Sequence, residues 1–431
     1  MNSQLKIENP KRRSSSNPEI PAVFNYYAGF STRFAKTIIE SSGLVPVSTI
    51  LDPWNGSGTT SEMAAMLGHR AIGFDLNPAM AVIARARMLR KREMPSVRPL
   101  FDDIRQKSEV AVFKIKKDDP LLLWFAPQTT RFLRCLESSI QELLISSLEY
   151  QYLIKRDLAI QVSDLACFFY TALFRTVGLL ARPYRSSNPT WIKVARKGHR
   201  RITVGISRIL SCFRTEVLAM LETLEINGVH TLNEEEYLID TASSTQLPLE
   251  TESIDLTLTS PPYCTRIDYA RATQPELAVM GVSADSFREL RNKLIGTSTI
   301  VKTTPNVSAD WGNTCRNFLK NLGDHGSKAS KSYYLKNHLQ YFDGIHKSIR
   351  ELARVTKPGG RCILVVQDSY YKEIHNDLPR MLIEMSANYG FKLGRKVDFQ
   401  HARTMAGINP RIRQYRCETG ATESVICLDR I

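Results

Sequence analysis

Residues 49–92 constrain the fold more than any other stretch. The short apolar run Thr49-Ile50-Leu51 stops at the turn Asp52-Pro53-Trp54-Asn55-Gly56-Ser57-Gly58. Thr59 to Leu67 then reads as a helix closed by Gly68. Ala71-Ile72-Gly73-Phe74 is a second apolar run and ends at Asp75. Pro78 opens a further helix, Ala79 to Arg92, at the first helical position, where its missing N–H costs nothing. Strand, glycine turn, helix and strand follow one another within about 30 residues, which is a βαβ unit of an α/β sheet.

The alternation stops after Arg92. Residues 93–225 are mostly helical in pattern, as in Gln128 to Ser147 and Asp157 to Leu179. Strand patterns return at Tyr237-Leu238-Ile239-Asp240 and Ile254 to Thr259. Another strand, Arg361 to Val366, follows a helix over Leu339 to Val355 and the turn Lys357-Pro358-Gly359-Gly360; Glu423 to Leu428 is a last strand. The chain therefore reads as one open twisted sheet, 21–92 plus 226–431, split by a helical insertion at 93–225. Residues 1–20 have little to bury and read as a disordered tail. The Gly, Ser, Asn and Lys content of 281–335 suggests a second, mobile loop insertion.

A hydrophobic fraction of 43% over 431 residues allows a sizeable core. No apolar run reaches the roughly 18 residues of a membrane span, and the N-terminus lacks a signal-peptide core, so a cytoplasmic protein is expected. The 8 cysteines form no CxxC pair and no zinc spacing, so free thiols and no metal are expected. The 58 Lys and Arg exceed the 43 Asp and Glu by 15, an excess that suits a polyanion partner.

The strand Ile254 to Thr259 runs into Ser260-Pro261-Pro262-Tyr263. Two prolines fix φ and remove two N–H donors, so this loop offers acceptors beside an aromatic ring. With the glycine turn, this motif resembles the amino-directed DNA methyltransferases, which use S-adenosylmethionine. The resemblance covers about 21–92 and 230–431. It implies a mixed Rossmann-like methyltransferase sheet of about seven strands with a helical insertion. One departure from many relatives is that the glycine turn precedes the catalytic motif.

The resemblance implies roles for these residues. Pro53, Asn55, Gly56, Ser57, Gly58 and Thr59 would let the backbone approach the cofactor's methionyl end, with the helix N-terminus facing its carboxylate. Asp52 would accept from its ammonium. Asp75, with Asn77 beyond it, would hold the ribose hydroxyls, and Asp240 would face the adenine amino group. Asp75 and Asp240 also suit capping. Phe30 and Thr32 lie in Tyr27 to Phe34, which fits the segment that closes over the cofactor; core packing of Phe30 and Phe34 fits as well.

The Ser260 hydroxyl and Pro261 carbonyl would accept from the target amine, Tyr263 would stack on a flipped base, and Ser260 would also border the cofactor. A leading serine looks like the cytosine-N4 branch, with N6-adenine as the alternative. Cys264 reads as packing. Asp268 and Arg271 either orient the catalytic loop, contact DNA or form a salt-bridged helix start.

The stretch 182–201 holds seven Lys or Arg, two aromatics and no acid. Arg182, Arg185, Trp191, Lys193, Arg196, Lys197, Arg200 and Arg201 suit a phosphate backbone and an unstacked base. A solvated loop is the plain alternative, and Lys302, Arg316, Lys320, Lys328 and Lys331 mark a competing target reader. The expected partner is double-stranded DNA, with a restriction endonuclease or defence-system subunit as a possible companion. RNA methylation and a silent DNA-binding subunit are the other readings.

Overall fold

The computed structural model describes residues 5–11, 23–24, 29–145, 162–186, 191–195, 198, 200–227, 236–264, 267–301, 303–401 and 420–431. Its centre is a seven-stranded sheet. The strands are β1 (Thr49–Asp52), β2 (Arg70–Asp75), β3 (Tyr237–Thr241), β4 (Ile254–Thr259), β5 (Thr356–Gln367), β8 (Phe391–His401) and β9 (Ala421–Arg430). Two short strands, β6 (Ser369–Tyr371) and β7 (Ile374–Asn376), form a separate hairpin. The order across the sheet is β3-β2-β1-β4-β5-β9-β8. β1 to β5 run parallel, and β9 is antiparallel to both β5 and β8. The order reverses beside β1, so β1 and β4 flank the topological switch point where open α/β sheets bind ligands.

Two helices follow the first two strands: α2 (Thr59–Met66) and α3 (Pro78–Ala86). Helix α1 (Thr32–Ser41) precedes them and packs Phe34 and Ile38 against the sheet. Gly68, at φ +76°, ends α2, and the His69 N–H returns to the Ala64 carbonyl. Helix α3 stops at Ala86, short of the expected Arg92. Beyond it the chain turns so that Arg87 meets Glu62 and Arg90 meets Glu93.

The helical insertion is present as α4 (Val97–Val110), α5 (Pro127–Leu144), α6 (Asp164–Leu180) and α7 (Ile206–Asn227). These helices share one hydrophobic cluster with α3, through Met80 and Ile83, and with Leu277 beyond the Ser-Pro-Pro-Tyr loop. Buried ion pairs fix them. Arg85 of α3 meets Asp164 at the start of α6 at 2.8 Å, and Tyr237 of β3 bonds the same carboxylate. Arg134 of α5 pairs with Asp119 at 2.8 Å and donates to the carbonyls of Ala278 and Val279.

Residues 281–335 are not the loop insertion the composition suggested. They hold α10 (Ala284–Lys293) and α11 (Gly312–Asp324), which follow the short helices α8 (Tyr269–Ala272) and α9 (Gln274–Val279). Ser283 caps α10 by accepting from the Ser286 N–H, and Cys315, Phe318, Leu319 and Leu322 of α11 are buried against α12 (Leu335–Val355) and α13 (Leu378–Ala387). Strand β8 has no counterpart in the sequence reading. Its alternation breaks at a register shift between Leu393 and Arg395, and Lys392, Arg395 and Lys396 give it the charged character of a sheet edge. Among the described residues no helix is long and apolar enough to cross a membrane.

Replacing Arg134 by Ala strands a buried carboxylate and two buried carbonyls. The expected loss is about 3–5 kcal/mol of unfolding free energy in a urea titration. A loss under about 1 kcal/mol would mean that α5 is not held to α9 in this way.

Candidate active site

The carboxyl ends of β1, β2, β3 and β4 face a cleft partly open to solvent. Its floor is built around Asp52. The carboxylate is buried and accepts from the Trp54 N–H at 3.1 Å, the Thr60 hydroxyl at 2.8 Å and the Thr259 hydroxyl at 2.5 Å. The Thr60 hydroxyl also lies 3.0 Å from the Leu258 carbonyl. Asp52 thus ties the end of β1 to the first turn of α2 and to the last residue of β4.

The glycine turn then folds over β2. The Asn55 N–H donates to the Phe74 carbonyl at 2.9 Å and the Gly56 N–H to Asp75 at 3.0 Å. The Asn55 side chain lies over Gly73, where a Cβ would come within 2.3 Å of Nδ2. Gly58 is close-packed too: at φ +86°, its added Cβ would sit 2.8 Å from that of Ala84 on α3. Asp75 also accepts from the Asn77 N–H at 2.8 Å, so it braces the turn while facing the cleft. Asn77 caps α3 and donates to Thr273 at 2.6 Å.

Ser260-Pro261-Pro262-Tyr263 forms the opposite wall. Tyr341 donates to the Pro262 carbonyl at 2.9 Å, and the Tyr263 N–H donates to the Tyr269 hydroxyl at 3.0 Å. Residues 293–295 complete the wall, and Gly296, at φ +81°, packs where a Cβ would lie 2.5 Å from the Tyr263 carbonyl. The Ser260 hydroxyl and the Pro261 carbonyl have no hydrogen-bond partner among the described residues. The loop therefore spends one carbonyl on its own support and keeps two acceptors at the cleft.

The cleft brings together most of the expected residues: Phe30, Asp52, Pro53, Asn55, Gly56, Ser57, Thr59, Asp75, Asn77 and Ser260 to Tyr263. Gly58 and Thr32 are not part of its lining. Gly58 serves helix packing, and Thr32 is the first residue of α1, where Ser31 caps the helix. Asp240 is also absent from the lining. It accepts from the adjacent Thr241 N–H, and Ala242 to Ser244 reach the cleft instead. Trp54, Leu76, Met80, Tyr269 and residues 293–295 line it without having been expected. Trp54 and Leu76 adjoin motif residues, whereas 293–295 arrive only through the packing of α10.

Cys264 is buried in the cluster that holds Trp311 and Phe342. Asp268 caps α8 and accepts from Arg291, which is the salt-bridged helix start among its expected alternatives.

The basic stretch is a strap anchored to the insertion. The Lys193 N–H donates to the Tyr184 carbonyl, Trp124 Nε1 donates to the Lys193 carbonyl, and Ala126 and Ile202 bond through their backbones. Arg182, Arg185, Lys193, Arg200 and Arg201 are exposed along it. Arg196 and Lys197 lie outside the described residues, as does Lys302 of the competing reader.

Residues 4–85 match the family model described as DNA methylase, of the N6/N4 type. That span includes the Asp52 turn and Asp75 and ends before Ser260. The chain is also 28% identical over 306 residues to the Type II methyltransferase M.BsoBI of Geobacillus stearothermophilus, covering 65% of this chain and 56% of that relative. The resemblance to the N4/N6 amino-methyltransferases holds. The chain thus aligns with little more than half of the relative's length. Among solved structures, a geranyl diphosphate methyltransferase in complex with GPP and sinefungin matches at 9% identity and a TM-score of 0.33, covering 93% of this chain and 80% of that one. A geranyl diphosphate C-methyltransferase from Streptomyces coelicolor A3(2), in complex with Mg2+, geranyl diphosphate and S-adenosyl-L-homocysteine, matches at 8% and 0.34, covering 100% and 95%. These scores are too low to bear on function.

Burial pushes the carboxyls of Asp52 and Asp75 up to about 6, against the hydrogen bonds they accept. An acid raised in this way is protonated in the fold while still ionised in the unfolded chain. Stability without ligand should therefore fall as pH rises from about 4 to about 6 and level off above. Asp52→Asn is expected to remove part of that fall, read as the difference between the two proteins' denaturation midpoints across this window. Identical pH profiles would contradict a buried, cation-free Asp52.

Proposed function

We propose that this chain is a DNA amino-methyltransferase that uses S-adenosylmethionine and forms N4-methylcytosine. The observation that carries the reading is the single cleft walled by the glycine turn on one side and Ser-Pro-Pro-Tyr on the other. The donor set suits the cofactor. Asn55 keeps a buried Nδ2 without an acceptor among the described residues, and Asp75 still opens to the cleft. Among the described residues Asp52 and Asp75 have no cationic partner, so the cofactor's positive charge would be welcome beside them.

Bound here, S-adenosylmethionine supplies an activated methyl group. The residues supply alignment and acceptors. An exocyclic amine shares its lone pair with the base ring, so it is a poor nucleophile. The Ser260 hydroxyl oxygen and the Pro261 carbonyl accept from its two hydrogens, which rotates the nitrogen out of conjugation and spreads the charge it develops. Tyr341 holds the Pro262 carbonyl and so keeps the loop in register. The Tyr263 ring stacks on the base, which must leave the helix to reach the cleft. The exposed Arg182, Arg185, Lys193, Arg200 and Arg201 and the excess of 15 positive charges favour a polyanionic substrate, and double-stranded DNA fits the relative's class. The leading serine is the ground for cytosine over adenine. A cognate endonuclease would be the natural partner.

Nucleosides from DNA incubated with the protein and isotopically labelled S-adenosylmethionine test the reading by mass spectrometry. Labelled N4-methylcytosine is expected. Labelled N6-methyladenine would overturn the base assignment, and label found only in RNA would overturn the substrate. Ser260→Ala should keep cofactor affinity within about twofold and lower turnover by a factor of 10² or more. Asp75→Ala should weaken cofactor binding in calorimetry by at least tenfold, and an unchanged affinity would remove Asp75 from the site.

A further inference from the structure

Trp191 sits on the basic strap and is 39% exposed, an unusual position for an indole. It is not loose. The Arg271 guanidinium carbon lies 5.3 Å from its ring centroid. Arg271 belongs to α8, two residues after Tyr269 of the cleft wall. Its Nη1 donates to Gln274 at 2.6 Å, but its buried Nε has no partner among the described residues.

A second guanidinium is close by. Arg291 lies two residues before Lys293 of the cleft wall and pairs with Asp268 at 2.5 Å. Burial first, and the Arg291 charge second, lower the Arg271 pKa from its ordinary value, while Asp268 is engaged by Arg291. A half-buried guanidinium that stacks on an exposed indole beside a like charge suits an anion that arrives from outside.

We propose that Trp191 and Arg271 form a nucleotide subsite at the rim of the cleft, in which Arg271 takes a backbone phosphate and the open side of the indole stacks on an unpaired base next to the target. This rests on the DNA reading above and adds to it. The guanidinium lies over one side of the ring. A base on the other side would complete a three-layer stack of base, indole and guanidinium. The subsite gives the strand opened by flipping a surface to rest on, a few residues from the loop that receives the target base. It also explains why an exposed tryptophan lies in an otherwise basic strap.

The test uses the full chain with S-adenosylhomocysteine and two fluorescein-labelled 30-base-pair DNAs of random sequence. One is fully paired and the other has a central three-base bubble. Anisotropy titrations at several salt concentrations give affinities and salt slopes. Trp191→Ala should lose about tenfold on the bubble and less than twofold on the paired duplex, and Trp191→Phe should recover most of the loss. Arg271→Gln should weaken both and lower the salt slope by about one, while Arg271→Lys should keep the slope. Equal losses on both DNAs for Trp191→Ala, or no loss on either, would overturn the subsite while leaving the DNA reading intact. A wild-type protein that bound neither DNA would sink both. Retained S-adenosylhomocysteine affinity shows that each variant is folded.

Discussion

The buried carboxylate of Asp52 is the point on which the rest of the site depends. It ends β1, and its three donors come from the glycine turn, the first turn of α2 and the last residue of β4. Neutral hydroxyls and an amide offset burial only in part, so the carboxyl is pushed up to about 6 rather than held low. The arrangement found here keeps the floor of the cleft short of positive charge, and it places the two motif loops edge to edge although about 200 residues separate them in the chain.

The remainder of the cleft is built by mutual support. Asp75 holds the Gly56 N–H, Tyr341 holds the Pro262 carbonyl, and Tyr269 receives the Tyr263 N–H. Each support comes from a neighbouring element, and none uses the Ser260 hydroxyl or the Pro261 carbonyl. Both acceptors stay without a donor among the described residues, as the proposed amine chemistry needs. Gly296 and Gly73 mark where the walls approach so closely that a Cβ would collide.

Much of this was legible in the sequence because local chemistry and fold agree there. The βαβ unit, the closing Gly68 and the Ser-Pro-Pro-Tyr loop carry their own turn signals. Most misses have physical causes. The bulge at Leu393 to Arg395 breaks the alternation that would have announced β8. The polar composition of 281–335 hid α10, which buries only Leu290, and α11, whose buried Cys315, Phe318, Leu319 and Leu322 recur at helical spacing among Asn, Lys and Arg. Strand β3 runs one residue past the expected Asp240, to Thr241, and the chain meets the cleft only at Ala242. Residues 293–295 and Arg291 reach the site only by tertiary packing, so no local pattern could have named them. The strap showed its charge in the sequence but not its anchoring, which depends on backbone bonds to residues 123–126.

The most direct measurement is a crystal structure of the protein with S-adenosylhomocysteine. Density should fill the cleft between Asp75 and Ser260, with the sulfur facing the Ser260 hydroxyl and the Pro261 carbonyl. Density at any other place, or a ligand whose sulfur points away from Ser260, would contradict a single cleft shared by cofactor turn and catalytic loop.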